Sequence, residues 1–210
     1  MRYLSLFVFL GSGLFLLACQ GPQRKGSDLI TVDSLTESGF RLSFQQRRED
    51  GLKEGIFRMF DEEGRLYEQS TYEQGRLHGL RILFFPDGDT LSVETHKSGQ
   101  YQGPYRLYHE NGRLELKGQY IDNVMAGRWE RYYPNGQLRE RVRFQDNQEN
   151  GPFVEYHPNG SLKAEGQYLN GDFEQGELKL YDETGRLVRI MDCEQGVCRT
   201  RWQAAEDGSN

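Results

Sequence analysis

Residues 103–120 read Gly-Pro-Tyr-Arg-Leu-Tyr-His-Glu-Asn-Gly-Arg-Leu-Glu-Leu-Lys-Gly-Gln-Tyr. A glycine opens the stretch, rings follow at Tyr105 and Tyr108, and Asn111-Gly112 interrupts the run. Beyond it Leu114, Leu116, Gly118 and Tyr120 alternate with polar residues, the period of two expected of a strand half-buried on one face. Asn and Gly both tolerate positive φ, so Asn111-Gly112 is expected to form a type I′ hairpin turn. The stretch is strand, turn, strand.

Outward in both directions the same pattern returns. Gly55, Gly79, Gly103, Gly127, Gly151 and Gly176 are spaced 24 residues apart four times and then 25, and Gly64, Gly88, Gly112, Gly136, Gly160 and Gly185 keep step with them. Two glycine series at one period mark a repeat architecture. They also explain why glycine, at 25 of 210 residues, exceeds its usual share of about 7%. A second connection falls between units, at Gly51, Gly75, Gly99, Asn123, Asn147 and Gly171. Neither connection leaves room for a crossover helix, so the fold class is all-β: an elongated, twisted antiparallel meander of about six 24-residue β-hairpin repeats. Two strands per unit at about 4.8 Å each give a ribbon on the order of 60 Å long. Phe60, Phe84, Tyr108, Tyr132, Tyr156 and Tyr181 form one aromatic column, and Phe57, Tyr105, Trp129 and Phe153 a second, broken by Arg81 and Leu178. Such columns form a core, because neighbouring rings along a ladder stabilise a sheet without a second layer. Were one column exposed, Tyr105, Tyr108, Trp129, Tyr132, Phe153 and Tyr156 would be the rings to stack on a ligand.

The pattern Gly, x, aromatic, x, x, aromatic, two or three residues, Asn-Gly, x, Leu resembles the bacterial variant of the MORN repeat over about residues 51–192. The resemblance implies an elongated β-hairpin sheet. Many bacterial proteins of that kind are described as antitoxin components, which would suit this chain only if it is not exported. Eukaryotic MORN proteins suggest lipid binding, which the net charge opposes.

Ahead of the array, Met1 and Arg2 precede a run of apolar and small residues from Tyr3 to Ala18, followed at once by Gln20, Gln23, Arg24 and Lys25. This is the order of an export signal, and the run is too short for a comfortable span. Leu16-Leu17-Ala18-Cys19 resembles the bacterial lipobox, with Leu17 where a smaller or β-branched residue is usual. Residues 1–18 are therefore expected to be a signal peptide and 19–35 a lipidated N-terminus and flexible tether. A capping strand and turn at 36–54, the array at 55–200 and a disordered tail at 201–210 complete the expected organisation. Lipidation at Cys19 would anchor the protein at the bacterial cell envelope, on the outer or the cell membrane. Cys193 and Cys198 flank the last turn, and in an exported protein they are expected to form a disulfide.

The chain carries 26 basic and 32 acidic residues, a net charge of -6, interspersed in sequence, so it lacks the field that draws in nucleic acid. There is no nucleophile elbow, HExxH or P-loop, so no enzyme, cofactor or metal site is indicated. His109 and His157 occupy equivalent places two units apart, about 20 Å along such a ribbon, too far for one metal. Two functions remain: a protein-interaction scaffold held at the envelope by its lipid, or a glycan or cell-wall binding module using the aromatic columns. The second requires exposed, regularly spaced rings.

Overall fold

The computed structural model describes residues 28–205. Sixteen strands form one antiparallel sheet. The first pair is β1 (Leu29–Leu35) and β2 (Arg41–Arg47). The first four repeat hairpins are β3 (Lys53–Phe60) with β4 (Leu66–Glu73), β5 (Arg76–Phe84) with β6 (Thr90–Lys97), β7 (Gln100–Tyr108) with β8 (Leu114–Ile121), and β9 (Val124–Tyr132) with β10 (Leu138–Gln145). Then come the short β11 (Gln148–Glu149), the hairpins β12 (Gly151–Tyr156) with β13 (Leu162–Tyr168) and β14 (Gly176–Tyr181) with β15 (Leu187–Glu194), and a last strand β16 (Val197–Gln203). The strands lie in chain order, with β11 paired to β10 alone, so the expected meander of six repeat hairpins is the fold.

Each hairpin carries the same irregularity. Leu107 pairs with Leu116 but Tyr108 with Leu114, leaving Glu115 as an extra residue; Tyr67, Leu91, Arg139, Lys163 and Val188 are the matching extra residues. A bulge repeated every unit adds local right-handed twist each time. The unit-opening glycines sit where consecutive units meet out of register. Gly103, for instance, lies between Tyr101, opposite His96, and Tyr105, opposite Glu94, with a φ of 112°. Only glycine takes that conformation without strain.

The type I′ turn expected at Asn-Gly is not found there. At Asn111-Gly112 only Gly112 has positive φ, and the Gly112 amide donates to the His109 carbonyl. This is a type I turn followed by a left-handed glycine, the three-residue solution. The type I′ geometry occurs between units, at Asp122-Asn123 (φ 50° and 68°) and its equivalents. The turn asparagines instead stitch the units. Asn111 Oδ1 accepts from the Arg113 amide, while the Nδ2 groups of Asn111, Asn135 and Asn159 donate to the carbonyls of Pro134, Pro158 and Glu183 at 2.7–2.8 Å.

The core lies on one face. Trp129 and Phe153, 2% and 3% exposed, join Val142, Ala164, Leu178 and Cys193, with Tyr105, Tyr120, Phe144 and Tyr168 against them. A single layer buries rings this deeply because they lie over glycines on the adjacent strand: a Cβ at Gly118 would sit 2.1 Å from the Trp129 ring, and one at Gly166 2.9 Å from Phe153.

Two expectations are corrected at the ends. Residues 29–35 of the supposed tether form β1, with Val32 opposite Phe44; Ile30 and Val32 suit a pleated surface, and β1 covers what would be the open edge of β2. At the other end Arg201, Trp202 and Gln203 of the supposed tail belong to β16. The spacing of 25 comes from one extra residue between Gly171 and Gly176, where β13 and β14 pair at Ala164–Leu180 and Glu165–Lys179 with a further bridge at Tyr168–Glu174. Cys193 and Cys198 face each other across β15 and β16 with Cα atoms 4.0 Å apart, and a disulfide joins them. The leader, Cys19 and the tether before residue 28 lie outside the described residues.

Gly118→Ala is expected to lower stability by about 1–3 kcal/mol through forced displacement of the Trp129 ring. Urea unfolding followed by tryptophan fluorescence measures it; an unchanged midpoint would mean the ring is not seated on Gly118.

Candidate functional site

Alternation sends the two aromatic columns to opposite faces, because their members are three residues apart along a strand. Phe57, Tyr105, Trp129 and Phe153 belong to the packed face. Of the six rings proposed for ligand stacking, Trp129 and Phe153 are therefore closed to any ligand. Tyr105 is half-buried with its ring centroid 5.9 Å from that of Trp129. Tyr108, Tyr132 and Tyr156 lie on the other face, also half-buried. Tyr132 donates its hydroxyl to Glu130 at 2.8 Å, and Lys117 Nζ lies 5.4 Å from its ring centroid. Of these three rings, Tyr132 is thus engaged within the sheet.

Between the rings of Phe57 and Tyr105 the packed face turns polar, at the place where Arg81 breaks the column. Arg81 reaches Glu68 at 2.8 Å and Glu94 at 3.4 Å; Glu94 also bonds His96 Nε2 at 3.0 Å, and Ser70 donates to Glu68 at 2.9 Å. Glu68, Glu94 and His96 are each 5% exposed. Charges so deeply placed persist only when paired and hydrogen-bonded. The Glu68 hydrogen bond holds the Arg81 guanidinium above its ordinary pKa against the desolvation that opposes it. Burial, followed by the Glu94 charge, pushes the Tyr101 hydroxyl up to about 12. Two buried atoms here, Ser92 Oγ and His96 Nδ1, have no hydrogen-bond partner.

The opposite face is patterned along the ribbon. One row across the strands runs Ile82, Val93, Arg106, Lys117, each residue directly opposite the next or hairpin-paired with it. It continues through Glu130 and Arg141, again paired, and Lys117 faces Glu130 across the gap between the units. A neighbouring row holds Ile56 opposite Thr71, Leu80 opposite Thr95, Pro104 opposite Gln119, and Arg128 opposite Arg143. The surface of β3–β6 is largely apolar, with Ile56 and Leu80 46% and 49% exposed, and is interrupted by Thr71, Thr95 and by Arg58 opposite Gln69. That of β7–β10 is basic. An open trough of about 690 Å³ crosses it, lined by Arg106, Lys117, Arg128, Glu130, Arg141 and Arg143 and bounded by Pro104, Pro152 and Val154.

Glu130 is the one carboxylate lining the trough, and Lys117 at 2.8 Å and Arg141 at 2.7 Å occupy it. Burial would raise its pKa; the hydrogen bonds from Lys117, Arg141 and Tyr132 outweigh burial and hold it at about 2. This surface is not legible in the sequence from charge alone, because the chain is acidic overall and its cations are scattered. A spacing rule would have found it: Arg106, Lys117, Arg128, Glu130, Arg141 and Arg143 occupy same-face positions in consecutive strands.

A sequence model of the MORN repeat variant matches residues 53–74, 101–122, 125–146 and 149–170. The matches pass over the hairpin that contains Arg81, Glu94 and His96, where the repeat's usual ring, small residue and second ring are all replaced. No curated protein matches the chain.

Because Glu130 has a lower pKa folded than unfolded, its contribution to stability is complete above the ordinary carboxylate range near 4.5 and is lost as pH falls toward about 2. The difference in urea midpoint between wild type and Glu130→Gln should therefore shrink as pH drops from 5 to 2, roughly the span between the two pKa values. A difference independent of pH would contradict the ion-paired geometry.

Proposed function

The array is one of MORN-variant repeats, not known as an enzyme family, and on that footing we propose that the protein is an envelope lipoprotein whose repeats serve as a protein-interaction scaffold. The observation that carries the scaffold reading is the second face, which no other described residues cover: a largely apolar surface and a basic trough lie side by side on it. A face of that kind supplies contact area and charge without a preformed enclosed cavity, which suits a macromolecular partner. Turn asparagines join the last four of the six hairpins, and a disulfide closes the array at its end, which favours a fixed register for that face.

The anchor reading rests on the order of charge, apolar run and Leu-Leu-Ala-Cys in residues 1–19. Cys19 would carry the lipid, and residues 20–28 would leave a spacer of nine residues before β1 begins at Leu29. Fully extended, such a spacer reaches about 30 Å, enough to hold the ribbon clear of the bilayer surface. A disulfide in the last hairpin suits an oxidising compartment.

Metabolic labelling with radioactive palmitate, followed by membrane fractionation, tests the anchor. Wild type is expected in the membrane fraction with label, and Cys19→Ala without label and released. An unlabelled, cytoplasmic wild type would refute the envelope reading.

A further inference from the structure

Like charges directly opposite each other on adjacent strands destabilise a sheet, and four such pairs lie among the described strands. Glu177 and Asp192 face each other across β14 and β15, and Arg201 bridges both. Glu140 and Glu155 face each other across β10 and β12. Lys163 holds Glu155 at 2.6 Å, and burial together with the Glu155 charge raises the Glu140 pKa. The third pair is Arg128 and Arg143, and it has no such partner: neither guanidinium makes an ion pair or hydrogen bond among the described residues, and the same holds for the guanidinium of Arg106 in the fourth pair, whose Lys117 is held by Glu130. Three guanidinia therefore point into one trough whose single carboxylate is committed to Lys117 and Arg141. Elsewhere the sheet supplies a counter-charge to its like-charge pairs; here the counter-charge must come from outside.

The apolar surface fixes what kind of anion that is. Val93 and Arg106 are direct cross-strand neighbours, so the apolar and basic surfaces are one continuous strip across β3–β10. We infer that this strip is the binding site for an extended protein segment with apolar side chains over Ile56, Leu80 and Val93 and carboxylates over Arg106, Arg128 and Arg143. The inference rests on the scaffold reading above and names the partner's chemistry. Guanidinia match carboxylates bidentately. Eight strands span about 34 Å, the length of about ten extended residues. A bilayer is disfavoured because the cations lie in a trough on a chain of net charge -6.

The test uses full-length protein carrying Cys19→Ala, purified in detergent and titrated with a fluorescent ten-residue peptide, leucine and isoleucine in its first half and glutamate in its second. The same residues in scrambled order, oligoglutamate and phosphatidylglycerol vesicles are the comparisons. The ordered peptide should bind most tightly, and more weakly as salt is added. Arg128→Glu should weaken it tenfold or more while keeping or raising the urea midpoint, since it replaces a repulsive pair by Glu opposite Arg143. Arg106→Gln should weaken all acidic peptides, and Leu80→Ser the ordered peptide but not oligoglutamate. No saturable binding, equal binding of the scrambled peptide, or full affinity in Arg128→Glu would overturn the inference. Vesicle binding that the peptide does not compete would overturn it in favour of a membrane surface. Cys19 is absent from this protein, so failure here counts against the strip and leaves the anchor untouched, while the palmitate result bears on the anchor alone.

Discussion

Among the described residues no second layer packs on this sheet, so it must bury its apolar surface along its own face, and the seating of rings over glycines makes that possible. Trp129 lies over Gly118 and Phe153 over Gly166, each ring covering backbone on the adjacent strand rather than standing out from it. Neighbouring rings then fill the remaining space, with Tyr120 and Phe144 edge-on to Trp129 and Tyr168 stacked on Phe153 at 4.2 Å. The core becomes a strip running along the array. The regular bulges, the turn asparagines and the terminal disulfide all keep the strands in the one register that aligns rings with glycines.

Concentrating the apolar surface on one face has a consequence for the other. Where the first face is ring-packed, in β7–β13, the second is free to carry charge, and it carries mostly cations. In β3–β6 the polarity reverses: the first face holds the network of Glu68, Arg81, Glu94 and His96, while Ile56, Leu80, Ile82 and Val93 occupy the second. The polar network is well bonded at Arg81 and incomplete at Ser92 and His96, so β4–β6 are held by ionic and hydrogen-bond geometry where the other units are held by ring packing. Lys53 sits over the rings of Phe44, Phe57 and Tyr72 and covers the ring cluster that precedes the network.

Much of this was legible in the chain. The period of 24, the alternation after each Asn-Gly and the absence of room for crossovers require an antiparallel meander, because these are local properties of backbone and connection length. The break of the ring column at Arg81 was also visible, as was the pairing of Cys193 with Cys198 as an expectation from their flanking of one short turn. The turn types were misjudged, because Asn-Gly satisfies both a type I′ turn and a type I turn closed by a left-handed glycine. Loop length decides between them, and it depends on which residues pair.

What only the tertiary structure decided is which face each residue meets and what lies beside it there. Residues 29–35 look like a spacer until the edge of β2 offers them a partner. Arg106, Lys117, Arg128, Arg141 and Arg143 look like scattered charges of an acidic chain until strand pairing gathers them on one surface. The sequence determined the repeat and the hairpin, since both follow from glycine, asparagine and alternation within a few residues. The basic trough, the apolar surface beside it and the closure of Trp129 and Phe153 to ligands come from register across strands about twelve residues apart, where burial and Coulomb interaction act between residues distant in the chain.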